Sequence, residues 1–249
     1  MLNPEDYRVE SYEAFRERAR NPTLSPNERC GVPDAFRAGR SKAIFGDIGS
    51  KLAVFGRSGI KILDIGGGCS ELAHHVVETT ARERQLLTVI DSPEMLSQLP
   101  DSPHLTKLEG PFPACIKTLS RPLGSFDAIL AYSVAQYVFL EANLFAFVDA
   151  AVQLLGEQGR FLIGDIPNST MRKRFMASPA GKAYHAAHYA HLPAPKAQTV
   201  ALDPGEIDDG VVLGLVARMR AAGLHAFVVP QAPDLPMANR REDILIVRP

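Results

Sequence analysis

Residues 61–73 read K-I-L-D-I-G-G-G-C-S-E-L-A, and their chemistry lies in Asp64 and in Gly66, Gly67 and Gly68. A strand that ends in a glycine turn and opens a helix is a place where a nucleotide is cradled, because glycine lets a ligand approach the backbone closely. A carboxylate two residues before the first glycine repels a pyrophosphate and attracts positive charge. The dinucleotide pattern G-x-G-x-x-G, framed on Gly66, puts Glu71 where its last small residue belongs. A ligand with an adenosine and a cationic end therefore fits this turn better. Asp91 supplies the next chemical group, at the tip of the following strand. Both hydroxyls of a ribose are donors, and a carboxylate accepts from two donors at once. The competing reading of Asp91 is a helix cap before Pro93, a task that its neighbour Ser92 can equally perform.

Further polar residues gather where predicted strands end. The strand 126–131 runs into Tyr132, Ser133, Gln136 and Tyr137, and the strand 160–164 into Asp165 and Asn168. Open α/β sheets bind their ligands at this carboxyl edge. Phe112, after a weaker strand at 105–109, either stacks on an adenine or belongs to the core. The segment 169–192 reads as a helical insertion at the same edge, suited to a substrate lid. It carries Arg172, Lys173 and Arg174 together, then His185, His188 and His191. Asp165 and His185 are the candidates for a catalytic base. The three histidines read either as metal ligands or as a solvated face; with no matching carboxylate or cysteine spacing, no metal is expected. Arg172, Lys173 and Arg174, with Arg240 and Arg241, either clamp an anionic substrate or face solvent, and Arg241 has Glu242 beside it as an ion-pair partner.

The elements that must position these residues follow from periodicity. Ile60, Ile62, Leu63 and Ile65 form a short β-branched run of the type buried on both faces of a parallel sheet. Helical patterns occupy 71–84, 138–155 and 208–223, alternating with strands at 86–90, 105–109, 126–131 and 160–164. Strands at 224–229 and 243–247 close the chain. The connection between those two is too short for a parallel crossover, so they are antiparallel neighbours. The sum is a mainly parallel sheet with one reversed edge. Upstream, 4–20 reads as an amphipathic helix, 21–33 as an irregular hinge, and 34–55 as a helix burying Phe36, Ile44, Ile48 and Leu52. These N-terminal helices either lie over the ligand mouth or pad one edge of the sheet.

Composition bounds the rest. A chain of 249 residues, 46% hydrophobic and with net charge −1, is a globular domain with no long-range pull toward nucleic acid or an anionic membrane. Cys30, Cys69 and Cys115 are odd in number and form no C-x-x-C pair, which reads as reduced thiols, with Cys69 a small packing residue. The N-terminus has no leader pattern and no run is long enough to span a membrane, so a cytoplasmic protein is expected.

The three motifs I-L-D-I-G-G-G-C-S, V-I-D-S-P-E-M-L and F-D-A-I-L-A-Y-S-V-A-Q-Y-V resemble those of the class I S-adenosylmethionine-dependent methyltransferases, and the resemblance extends over 60–249. It implies a three-layer Rossmann-like fold whose seven-stranded sheet is parallel apart from one antiparallel strand near the C-terminus. It implies a helical extension over 1–56 and a cofactor-binding domain over 57–249, with an insertion at 169–195. Asp64 would face the ammonium group of S-adenosylmethionine, and Gly66, Gly67 and Gly68 would approach its methionine part. Asp91 and Ser92 would hold the ribose side, Met95 and Phe112 would lie near the adenine, and Tyr132 and Ser133 would close the pocket. Gln136, Tyr137, Asn168, Arg172, Arg240 and Arg241 would meet the substrate. Ser70 replaces a frequent third glycine, and Pro111-Phe112 stand where the family often has an acid. The implied activity is methyl transfer to an oxygen or nitrogen of a small polar metabolite, leaving S-adenosylhomocysteine; the ending M-A-N-R-R-E-D-I-L-I faintly resembles proteins of polysaccharide pathways, hence a sugar or surface-glycan precursor. The alternative is a cofactor-binding protein without transfer chemistry, in a regulatory role. A small-molecule substrate is the expected partner, with a homodimer left open.

Overall fold

The computed structural model describes residues 11–117, 125–193 and 203–249. Among them, seven strands form one sheet: β1 (Lys61–Ile65), β2 (Leu86–Asp91), β3 (Leu105–Glu109), β4 (Phe126–Tyr132), β5 (Leu155–Pro167), β6 (His225–Pro230) and β7 (Arg241–Val247), in the order β3-β2-β1-β4-β5-β7-β6. Pairing is parallel from β3 through β5, while β7 runs antiparallel to both β5 and β6. The reversed strand is thus not the edge that the sequence suggested. β7 is inserted between β5 and β6, and its unbroken apolar run Ile244-Leu245-Ile246-Val247 suits burial on both faces: Ile244 and Ile246 are fully buried, whereas β6 leaves Phe227 and Val228 exposed at the rim.

The helices are α1 (Tyr12–Ala19), α2 (Pro26–Arg29), α3 (Asp34–Arg37), α4 (Ser41–Leu52), α5 (Glu71–Arg82), α6 (Pro93–Leu96), α7 (Ala114–Lys117), α8 (Ala135–Glu141), α9 (Leu144–Gln153), α10 (Ser169–Ala177), α11 (Pro179–His188) and α12 (Asp209–Ala221). Successive strand side chains point to opposite faces, and each face has its own core. Ile129, Phe161 and Ile163 pack with Phe147 and Val148 of α9 and Leu215 of α12. Ile62, Leu130 and Leu162 pack with Ile44 and Ile48 of α4 and Val76 of α5. Three layers result, and α4 belongs to one of them. None of the helices among the described residues is long and apolar enough to cross a membrane.

Three expected helices are each two, and a cap residue explains two of the breaks. Asn143 takes the Ala146 N–H and starts α9 afresh after α8. Ser178 ends α10 and caps α11, whose first residue is Pro179. Between α3 and α4 the chain turns through Gly39 at φ +70°. The irregular stretch 21–33 contains α2, closed by a capping box between Ser25 and Glu28. Residues 156–159, expected to end a helix, are part of β5. The start of the expected helix 4–20 and the end of the insertion at 195 lie outside the described residues.

Because Ile48 has no exposed surface and joins α4 to the sheet, Ile48→Ala should lower unfolding stability by about 2–5 kcal/mol, measured by denaturant titration.

Candidate functional site

A cavity of about 490 Å³ opens at the carboxyl ends of β1, β2 and β4, with the glycine turn on its wall. The turn is held by Gly66 N–H donating to Ile90 O at 2.8 Å. Gly66 has φ +73°, and a Cβ there would meet Val134 at 2.6 Å; a Cβ on Gly67 would lie 2.7 Å from Asp64 Oδ2. A side chain at either position would force Val134, or Asp64 and Val89, to shift, and at Gly66 it would also strain the backbone. Ser70 then caps α5 by accepting from Ala73 N–H.

Two carboxylates dominate the site. Asp91 accepts from Gly68 N–H at 2.8 Å and from Ser92 N–H at 2.6 Å. Burial nevertheless pushes its carboxyl up to about 6. Asp64 is 5% exposed. Burial, and then the charge of Asp91, push its carboxyl up to about 7. Neither has an ion pair with a cationic side chain among the described residues. Such a site is prepared for a ligand that brings positive charge to one carboxylate and hydroxyl donors to the other.

The N-terminal segment closes this cavity. Tyr12 and Phe15 of α1, Asn27 of α2, Cys30, Val32, and Arg37 of α3 all line it. Arg16 makes two 2.9 Å bonds to Glu94 on α6, Arg20 joins the same carboxylate, and Tyr12 N–H donates to Glu141 at 3.0 Å on α8. The helices α1 to α3 therefore lie over the mouth, while α4 pads the sheet. The Tyr12 hydroxyl is buried with no hydrogen-bond partner among the described residues. Burial and Asp91 push it up to about 12.

Of the residues singled out from sequence, Asp64, Gly66, Gly67, Gly68, Asp91, Met95, Phe112, Tyr132, Ser133 and Tyr137 line the cavity. Phe112 also packs edge-on against Phe147 at 5.2 Å, so wall and core are one role. Ser92 is buried and caps α6 through Met95 N–H. The remaining candidates are engaged elsewhere. Asp165 receives Arg37 at 2.5 Å and Arg241 at 2.8 Å, together with Ser133 and Gln231. Burial pushes Asp165 up, but the two guanidiniums and these hydrogen bonds outweigh it and hold the carboxyl below its usual range. A carboxylate so saturated is a poor proton acceptor. His185 faces Leu192 O at 3.2 Å within the insertion, His188 stacks on Tyr184, and Arg240 lies over Tyr184 at 5.6 Å. The expected anion clamp is a set of internal pairs instead: Arg172 with Glu206, Lys173 with Asp203, Arg174 with Asp209. Asn168 caps α10 and bonds Asp209 and Glu242, and Gln136 bonds Ser133 O at 2.9 Å. Tyr12, Phe15, Arg37 and Glu141 are cavity residues that sequence reasoning did not single out; the aromatic spacing of Tyr12 and Phe15 marked them only as an amphipathic face.

No family model matches the sequence, and no curated protein matches it. Solved structures do. The plantazolicin methyltransferase BamL, in complex with a triazolic desmethylPZN analog and SAH, superposes with a TM-score of 0.57 at 16% identity, covering 95% of this chain and 96% of that one. The N-methyltransferase NodS from Bradyrhizobium japonicum, bound to S-adenosyl-L-homocysteine, gives 0.55 at 15% identity over 96% of this chain and 98% of that one. A putative methyltransferase in complex with the Haloferax volcanii activator Trm112 gives 0.55 at 14% identity, covering 94% and 97%. The fold is the class I methyltransferase fold. At these identities the likeness is one of architecture, and in this fold Asp64 and Asp91 stand at the tips of the two neighbouring strands β1 and β2.

The raised carboxyls make stability depend on pH in a defined direction. Asp64 titrates near 7 in the folded chain, against about 3.9 unfolded. The stability it contributes is thus present below about pH 4 and lost as pH rises through about 7. Asp64→Asn removes that loss, so in thermal melts of the free protein the variant should unfold a few degrees higher at about pH 8 and no higher at about pH 4.

Proposed function

We propose that this chain is an S-adenosylmethionine-dependent methyltransferase acting on an oxygen or nitrogen of a small molecule. The observation that carries the reading is the pair of buried Asp64 and half-buried Asp91, raised in pKa and without a compensating cation among the described residues, beside a tight glycine turn. Asp64 would hold the ammonium of the cofactor, and Asp91 would accept its ribose hydroxyls. Met95 and Phe112 would wall the adenine. Bound there, S-adenosylmethionine supplies a methyl group on a sulfonium leaving group. The task left to the protein is to align a nucleophile about 3 Å from that methyl and to keep water out. Tyr12 and Phe15 from α1 and Tyr137 from α8 cover the mouth and would do the second.

The acceptor side is read from what faces the cavity. Arg37, Asn27 and Glu141 are among the polar groups there beyond the glycine turn and its aspartates, together with Ser41, Ser133 and Asn143, set among aromatic side chains. A nucleophile that is already unprotonated, such as an amine in its free form, needs alignment alone; a hydroxyl acceptor has Glu141 as the carboxylate nearest to hand. Structural neighbours named as methyltransferases and bound to SAH, one of them an N-methyltransferase, support the transfer reading. An anionic acceptor has less support, since Arg172 and Arg241, expected to hold it, are paired within the chain; a sugar acceptor rests on the resemblance of the chain's ending alone.

Calorimetric titration should show one molecule of S-adenosylmethionine bound per chain. Asp91→Asn should weaken it by about 1.5–3 kcal/mol, roughly ten- to hundredfold. Incubation with pooled amine and hydroxyl metabolites should then release S-adenosylhomocysteine. Absence of binding by the unaltered chain, or equal binding by the variant, would overturn the reading; binding without release in any pool would mark a binder.

A further inference from the structure

We propose that Cys30 and Cys69 are an oxidant-sensitive thiol pair whose disulfide fastens the N-terminal cap to the glycine turn. Cys30 ends α2 and belongs to the cap, whereas Cys69 follows Gly68 and belongs to the turn. Their sulfurs stand 3.8 Å apart, and Cys69 N–H donates to Cys30 Sγ at 3.1 Å. A Cβ on Gly68 would lie 2.8 Å from the Cys30 sulfur, so the glycine is what admits that sulfur to the turn. Cys30 is half-buried and lines the cavity, open to a small oxidant; Cys69 is buried behind it, its sulfur 3.5 Å from Met95 Sδ. The hydrogen bond shared with Cys30, together with the charge of Arg29, holds the Cys69 thiol below its usual range. One sulfur of such a pair has thiolate character and the other carries the proton. Cys115, on α7, is pushed up by burial and serves as an internal control.

The oxidant class is a peroxide. Cys30, the sulfur that the oxidant can reach, first passes its proton to the Cys69 thiolate 3.8 Å away; the Cys30 thiolate attacks a peroxide oxygen, the O–O bond breaks, the departing hydroxide takes that proton from Cys69 as water, and a sulfenic acid remains on Cys30. The Cys69 thiolate then attacks that sulfur; the S–S bond forms, the S–O bond breaks, and the hydroxide leaves as a second water with a proton from solvent. Two thiols have lost two electrons and two protons, and the peroxide has taken them. Without the bond, α3 is anchored by Arg37 on Asp165, while α1 is held at its two ends by Arg16 and Arg20 on Glu94 and by Tyr12 N–H on Glu141, contacts that are not covalent. With it, the cap is tied covalently across the mouth. Resting on the proposed cofactor reading, the consequence is slowed exchange of the cofactor in both directions rather than loss of its site.

The test treats the free, full-length protein with hydrogen peroxide and blocks remaining thiols. Peptides are then mapped without reduction, and trypsin cleavage after Arg18 and Arg20 is timed. A Cys30–Cys69 linked peptide is expected, two hydrogen masses lighter than its parts, with Cys115 still blocked as a thiol. Cleavage in α1 should slow, and S-adenosylmethionine association and dissociation should both slow about tenfold. A reductant should restore all three, Cys30→Ser should respond to peroxide in none, and Cys115→Ser should respond in full. No linked peptide, or a linked peptide with unchanged proteolysis, would overturn the proposal. If the reduced protein binds no cofactor, the proposed function fails while the linkage and the proteolysis still decide the thiol pair.

Discussion

Two carboxylates held largely out of water, with no cationic side chain paired to them among the described residues, set the terms for this molecule. Asp64 and Asp91 end neighbouring parallel strands, where Asp64 pairs in register with Val89 and Ile65 with Ile90. The side chains that fix those strands, among them Ile62, Leu63, Val89 and Ile90, are almost fully buried. The aspartates therefore cannot drift apart or turn to bulk water without disturbing the sheet. Burying an unpaired carboxylate is costly, and the free chain meets that cost by raising both pKa values. A cavity beside them, a turn stripped of side chains and a cap of aromatic residues make sense as the surroundings of a cation that arrives from outside.

Asp165 and Asp243 show the opposite treatment of buried acids. Asp165 sits at φ +60° near the end of β5, a conformation that costs energy for a residue with a side chain. Arg37 reaches it from the cap and Arg241 from β7. Asp243 accepts the Asp165 N–H at 2.8 Å and pairs with Lys51 of α4 at 2.7 Å, and Gln231 bonds both acids. These groups tie α3, α4, β4, β5 and β7 into one polar knot. Breaking one partner out of such a knot strands a buried charge, so its members are fixed in place. The contrast is between acids that the protein neutralises itself and acids that, on the proposed reading, a ligand would neutralise. Asp165, an attractive base by position, is among the first.

What could be read from the chain alone divides along the same line. The glycine turn, Asp64, Asp91 and the strand order through β5 are local patterns, dictated by apolar runs and by residues adjacent in sequence. The cap is not local. Arg37 meets Asp165 and Ser133 across more than ninety positions, and nothing in an arginine marks its partner. Arg172, Lys173 and Arg174 look like an anion clamp until folding brings Glu206, Asp203 and Asp209 against them. The position of β7 was equally hidden. A short connection shows that β6 and β7 are antiparallel, but only burial decides which of them joins β5.

With its carboxyl pushed up to about 7, Asp64 is protonated for part of the time in the free protein, and on the proposed reading a cationic ligand would ionise it on binding. Calorimetric titration with S-adenosylmethionine at about pH 6.5, repeated in two buffers of different ionisation enthalpy, measures the protons exchanged on binding. Proton release to the buffer that disappears in Asp64→Asn is the predicted result. Binding without proton release, or release undiminished in the variant, would contradict it.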